Sequence, residues 1–139
     1  MFPRGVSIFK LDETLFCRNV RSAKRGAAGG PSGMTCDHLR PLLDSPRDLH
    51  TLFLVAESFS RGLIPPSVVE IVKLGWMTAL RKKDGGVRGI VAGEVIRRLT
   101  ARTMAQQLGF AVAAATAPFQ YALSTRAGCE CVSHALQAL

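Results

Sequence analysis

Residues 76–93 read WMTALRK, then Lys83-Asp84-Gly85-Gly86, then VRGIVAG. The β-branched and aromatic residues on either side favour extended backbone, and an Asp-Gly between two such runs is a strong short-range hairpin signal. An antiparallel hairpin here puts a β element in the middle of the chain, so what lies before residue 76 and after residue 93 must pack around its base. It also carries Arg81, Lys82, Lys83 and Arg88 to one tip. With a tight turn these side chains converge, and cations on one hairpin face can meet a single polyphosphate.

The flanks read as helix. Ser45 is an N-cap, Pro46 suits the first helical position, and Asp48 sits in the first turn, where a negative charge complements the helix dipole. Leu49, Leu52, Phe53, Ala56 and Phe59 then recur at three- and four-residue spacing up to Gly62, which predicts a core-facing helix. Upstream, a short helix is expected around 11–24, followed by the turn-rich RGAAGGPSG. Thr35 offers a cap for CDHLRPLLD, which Pro41 keeps irregular. Beyond Pro65-Pro66, SVVEIVKLG predicts a turn or two of helix. EVIRRLTARTMAQQL has no Gly or Pro and predicts a longer one, with Ile96, Leu99, Thr103 and Met104 on one side and Arg98 and Arg102 on the other. Ala-rich FAVAAATA is a candidate continuation, and a last helix carries Val132, Ala135, Leu136 and Leu139 as one stripe. That stripe reaches the final residue without a cap, as in a helix cut short.

Eighteen Lys and Arg against ten Asp and Glu give a formal charge of +8, which points to polyanionic partners, nucleic acid first and an anionic membrane surface second. Seven of the cations and only two acids, Asp84 and Glu94, fall between residues 81 and 102. The alternative is a solvated charged edge that discourages strand pairing. Cys17, Cys36, Cys129 and Cys131 form no C-x-x-C pair and read as reduced thiols. No apolar run reaches membrane-span length and the N-terminal MFPRGVSIFKLDET has no long apolar stretch, so an intracellular protein, cytoplasmic or nuclear, is expected, with no membrane partner.

GGPSGMT has the outline of a phosphate loop, but Met34 stands where the phosphate-binding Lys would be, and no apolar strand precedes it. An ordinary Gly-rich turn is expected there. His38, His50 and His134 are scattered without a nucleophile at a recognisable spacing. Two-metal phosphoryl transfer needs carboxylates that hold Mg²⁺, yet the aspartates are Asp12, Asp37, Asp44, Asp48 and Asp84, and none follows Asp84. The residues bind phosphate more convincingly than they transform it.

Taken in order, GGPSGMTCDHLRPLL, the run from FSRGLIPPSVVEIVKLG through the hairpin to RRLTARTMAQQL, and FQYALSTRAGCECVSHALQAL resemble the fingers-side part of a reverse transcriptase of the non-LTR retroelement type. The resemblance covers roughly residues 21–139. It implies that Lys82 or Lys83 and Arg88 contact the triphosphate of an incoming nucleotide, and that Gln120 and Tyr121 help shape the nucleotide pocket. Gly30, Pro31 and Gly33 would lie near the template. Gly89 stands where the family has Pro, and Ala122-Leu123 where it has Gly-Phe. The family's catalytic aspartates would lie beyond Leu139, so no catalytic residue and no metal ligand is expected here; Mg²⁺ belongs to the full-length family.

The expectation is thus an α+β, mainly helical fragment with a short antiparallel β-hairpin, like the fingers of a right-hand polymerase. Residues 1–20 would form an irregular segment and 21–139 the partial domain. Lys82, Lys83, Arg88, Gln120 and Tyr121 are the expected substrate-binding residues, and Arg81, Arg97, Arg98, Arg102, Gly30 and Gly33 the expected nucleic-acid contacts. The partners would be RNA template, DNA primer, deoxynucleotide and the rest of the polymerase. A non-catalytic nucleic-acid-binding module and a decayed retroelement relic remain the alternatives.

Overall fold

The computed structural model describes residues 9–117 and 128–137. Helix α1 (Glu13–Arg21) is followed by α2 (Cys36–Leu39), which tightens into a 3-10 segment at Arg40–Asp44, then α3 (Pro46–Ser60) and α4 (Pro66–Val72). Strands β1 (Gly75–Arg81) and β2 (Val87–Gly93) pair antiparallel, and α5 (Val95–Thr116) and α6 (Gly128–Gln137) complete the order. The fold is α+β and mainly helical, with one two-stranded sheet among the described residues. It divides into two compact units, Met1–Met104 and Ala105–Leu139.

The helix ends follow from local chemistry. In α1, Asp12 Oδ1 accepts the Leu15 N–H at 2.8 Å, Glu13 occupies the first turn, and Arg18 and Arg21 the last. In α3, Ser45 Oγ accepts the Asp48 N–H at 3.3 Å. At its other end Gly62, with φ 67°, lets Gly62 and Leu63 return their N–H groups to Phe59 and Ser58, the Schellman arrangement that satisfies the last carbonyls. Pro41 has no N–H to continue α2, which accounts for its four residues and the 3-10 segment that follows.

The first unit's core gathers Leu11, Phe16 and Val20 with Leu39, Phe53, Ala56, Val95 and Leu99. The Phe16 and Phe53 rings pack tilted, centroids 6.1 Å apart. Asn19 and Thr103 are buried polar residues with partners: Asn19 Nδ2 donates to Thr103 Oγ1 at 3.0 Å, and that hydroxyl donates to the Leu99 carbonyl at 2.9 Å. Helix α1 falls within the helix expected around 11–24 and spans residue 20, and Leu11, Phe16 and Val20 are core residues. A nine-residue helix is too short to show a multi-turn apolar period in sequence.

Between α1 and α2 the chain is tied down by side chains. Asp37 accepts the Gly26 N–H at 2.8 Å and Arg40 Nε at 2.9 Å, while Arg40 Nη2 donates to the Ala23 carbonyl at 2.8 Å. The Gly26 N–H and the Arg40 guanidinium hold the Asp37 carboxyl below the usual carboxylate range. In the second unit, the Ala-rich end of α5 leaves Leu108, Phe110 and Val112 exposed, as Val132 and Leu136 are on α6. Among the described residues no helix is long and apolar enough to cross a membrane.

Candidate nucleic-acid interface

The hairpin register runs from Gly75 opposite Gly93 to Arg81 opposite Val87. Lys82 continues the ladder by donating its N–H to the Gly86 carbonyl at 2.7 Å, and Gly85 donates to the Lys82 carbonyl at 3.2 Å. The loop is therefore Lys83-Asp84-Gly85, a turn closed by Gly85 at φ 84° and braced by Asp84 Oδ1, which accepts the Gly86 N–H at 3.0 Å.

That loop length decides which cations share a face. A two-residue Asp84-Gly85 turn would set Arg81 opposite Arg88. The third loop residue shifts the register by one and sets Arg88 opposite Leu80 instead. One face then carries Trp76, Thr78, Leu80 and Lys82 with Arg88, Ile90 and Ala92; the other carries Met77, Ala79 and Arg81 with Val87 and Val91. The expected convergence of all the tip cations is corrected accordingly: Lys82 and Arg88 lie together, and Arg81 points the other way.

Both faces are open to solvent. Every residue of β1 is exposed, as are those of β2 up to Val91. The side chains of Arg81, Lys82, Lys83 and Arg88 have no hydrogen-bonded or ion-paired partner among the described residues, so their charge is available to a ligand. Trp76 is 65% exposed on the face of Lys82 and Arg88. Its strand partner Ala92 is four residues from Arg88, which places the indole about 13 Å from that cation along the ribbon. Trp76 was absent from the expected site. Strand alternation with Lys82 was the signal that could have found it.

The remaining expected contacts stand elsewhere. Arg97 Nη1 donates to the Val72 and Lys73 carbonyls, each at 3.1 Å, and so closes the C-terminal end of α4. Arg98 Nη2 donates to the Ala28 carbonyl at 2.6 Å. Arg102 is exposed on α5 and forms no part of the hairpin tip. Gln120 and Tyr121 lie outside the described residues.

Gly30 and Gly33 have a local explanation. Ser32 donates its N–H and its hydroxyl to the two Glu94 carboxylate oxygens, at 2.8 and 2.7 Å, and a Cβ at Gly30 would come within 2.8 Å of Glu94 Cα and N. Gly33, at φ 73°, turns the chain so that its N–H reaches the Gly30 carbonyl. The Ser32 amide that a phosphate would need is already given to Glu94. The loop clamps the start of α5, in keeping with a turn rather than a phosphate loop.

Three of the aspartates already have structural partners. Asp12 caps α1, Asp37 holds Gly26 and Arg40, and Asp84 braces the turn. Among the described residues no three His, Cys, Asp or Glu side chains gather as a metal-holding group. No family model, characterised protein or solved structure matches the chain.

Proposed function

We propose that this chain is a fingers-type portion of an RNA-directed DNA polymerase of reverse-transcriptase lineage, whose hairpin grips the phosphates of a nucleotide or of the template. By itself it binds and does not polymerise. The observation that carries the reading is the solvent-exposed ribbon bearing Lys82 and Arg88 on one face and Lys83 in its loop, all without internal partners among the described residues. The order of sequence motifs around the hairpin supports the polymerase lineage. The basic tip supports the phosphate partner on charge alone.

Salt titration of binding to a labelled single-stranded oligonucleotide tests it. Replacing Lys82, Lys83 and Arg88 together by Ala should flatten the plot of log affinity against log salt by about 2 units, the loss of three neutralised phosphates. An unchanged slope discards the hairpin as the contact. A non-catalytic binding module would use the same surface, and competition separates the two: deoxynucleotide triphosphate displaces the oligonucleotide from a nucleotide-gripping hairpin, whereas only polynucleotide displaces it from a module. Template-dependent primer extension by the protein alone would overturn the non-catalytic half of the reading.

A further inference from the structure

The helical body holds a second basic feature. A cleft of about 160 Å³, floored by apolar residues that include Val95 and Leu99, is walled by Lys24, Arg98, Arg102 and Cys36. Among the described residues no acidic side chain lines it. Arg98 and Arg102 are one helical turn apart on α5, where like charges repel, and Lys24 brings a third cation from the segment after α1. The hydrogen bond from Arg98 Nη2 to Ala28 fixes the guanidinium, yet its Nε is buried with no acceptor among the described residues. A buried N–H of a charged group with no acceptor is a standing deficit, and three uncompensated cations around an apolar floor deepen it.

We propose that this cleft is an oxyanion site that takes a phosphate group. Arg98 is its fixed donor, and Lys24 and Arg102, both exposed, close over the ligand. A planar guanidinium with several N–H groups in a fixed fork suits a tetrahedral oxyanion better than a halide. The phosphate is either a free small anion or one unit of a nucleic-acid backbone; both present the same oxygens. The site does not depend on the hairpin reading, because none of its residues lies on the ribbon.

Cys36 makes the cleft observable. Its thiol is half-buried in the wall, Cys131 is exposed on α6, and Cys17 is buried. Burial and the nearby Glu13 carboxylate push the Cys17 thiol up, which disfavours the nucleophilic thiolate. The full chain is alkylated with iodoacetamide and modification at each cysteine is read by mass spectrometry. Millimolar inorganic phosphate should slow modification of Cys36 several-fold and leave Cys131 unchanged. Sodium chloride of equal ionic strength should protect neither. The double variant Lys24→Ala and Arg102→Ala should abolish the protection while its thermal unfolding matches the parent, since Arg98 is retained.

Protection by a single-stranded oligonucleotide but not by inorganic phosphate assigns the site to a nucleic-acid backbone. Protection by inorganic phosphate assigns it to a free anion. Equal protection by chloride and phosphate, or no protection by either phosphate source, overturns the proposal. Phosphate protection that persists in the Lys82, Lys83 and Arg88 alanine variant upholds the cleft even if the hairpin reading fails.

Discussion

A methyl group at position 30 has no room. Its Cβ would meet the Glu94 backbone at 2.8 Å and the carboxylate oxygen at 2.9 Å, and neither is the free end of a flexible chain, since Ser32 holds that carboxylate twice. At Gly33 the space is open and only the positive φ opposes a side chain. Gly30→Ala should therefore destabilise the protein by about 1–3 kcal/mol through overpacking, and more than Gly33→Ala, which meets only backbone strain of about 1 kcal/mol. Urea unfolding of the two variants checks the order; a Gly30→Ala loss no larger than that of Gly33→Ala would show that the clamp yields. The Gly-Gly-Pro-Ser-Gly punctuation was legible in sequence as a turn. Its dependence on Glu94, more than sixty residues away, was not, because no local pattern encodes which distant carboxylate a loop amide will meet. The same holds for Arg97: its charge is visible in sequence, but its use on the carbonyls ending α4 depends on how β2 returns the chain.

Among the elements, α3 shows how far local rules reach. Ser45, Pro46, Asp48 and Gly62 specify both of its ends, and Leu49, Phe53 and Ala56 its buried side, within one continuous segment. The hairpin shows where such rules stop. Its strands are plain in sequence, but Asp-Gly-Gly admits two loop lengths, and the choice between them sets the face of every β2 side chain. The observed register groups Trp76 with Lys82 and Arg88, so a single strand laid along that face meets an aromatic plane and two cations. The chain has one tryptophan, so its fluorescence reports this face directly. Adding a single-stranded oligonucleotide should quench the emission, and Trp76→Ala should weaken binding by about 1–3 kcal/mol, the usual worth of one base stack. Met77→Ala, on the opposite face, should leave affinity unchanged. Equal losses in both variants, or binding without quenching, would remove Trp76 from the interface.

For the whole molecule, stability is concentrated in the helices. Leu11, Phe16 and Val20 from the α1 region meet Phe53 and Ala56 of α3 and Val95 and Leu99 of α5, whereas the ribbon buries almost nothing before Gly93. A two-stranded hairpin alone is marginally stable in water. Amide exchange should therefore be slowest in α1, α3 and the first turns of α5 and much faster in β1 and β2, which open locally without unfolding the core. Strand amides as protected as those of Phe16 to Val20 would mean that the ribbon folds with the body. The mainly helical class and the mid-chain hairpin were both legible because period and punctuation are local. The central place of α1 was hidden, since one short helix becomes core only when partners distant in sequence arrive. The open ribbon has one more consequence. Among the described residues both of its outer edges are unpaired, alongside the exposed Trp76, Met77, Val87 and Val91, and like charge at the basic tips opposes strand-to-strand joining of two molecules. A polyanion that docks on those tips removes the repulsion, so ligand binding and self-association become linked, and the protein should be least soluble near the stoichiometry at which its charge is neutralised.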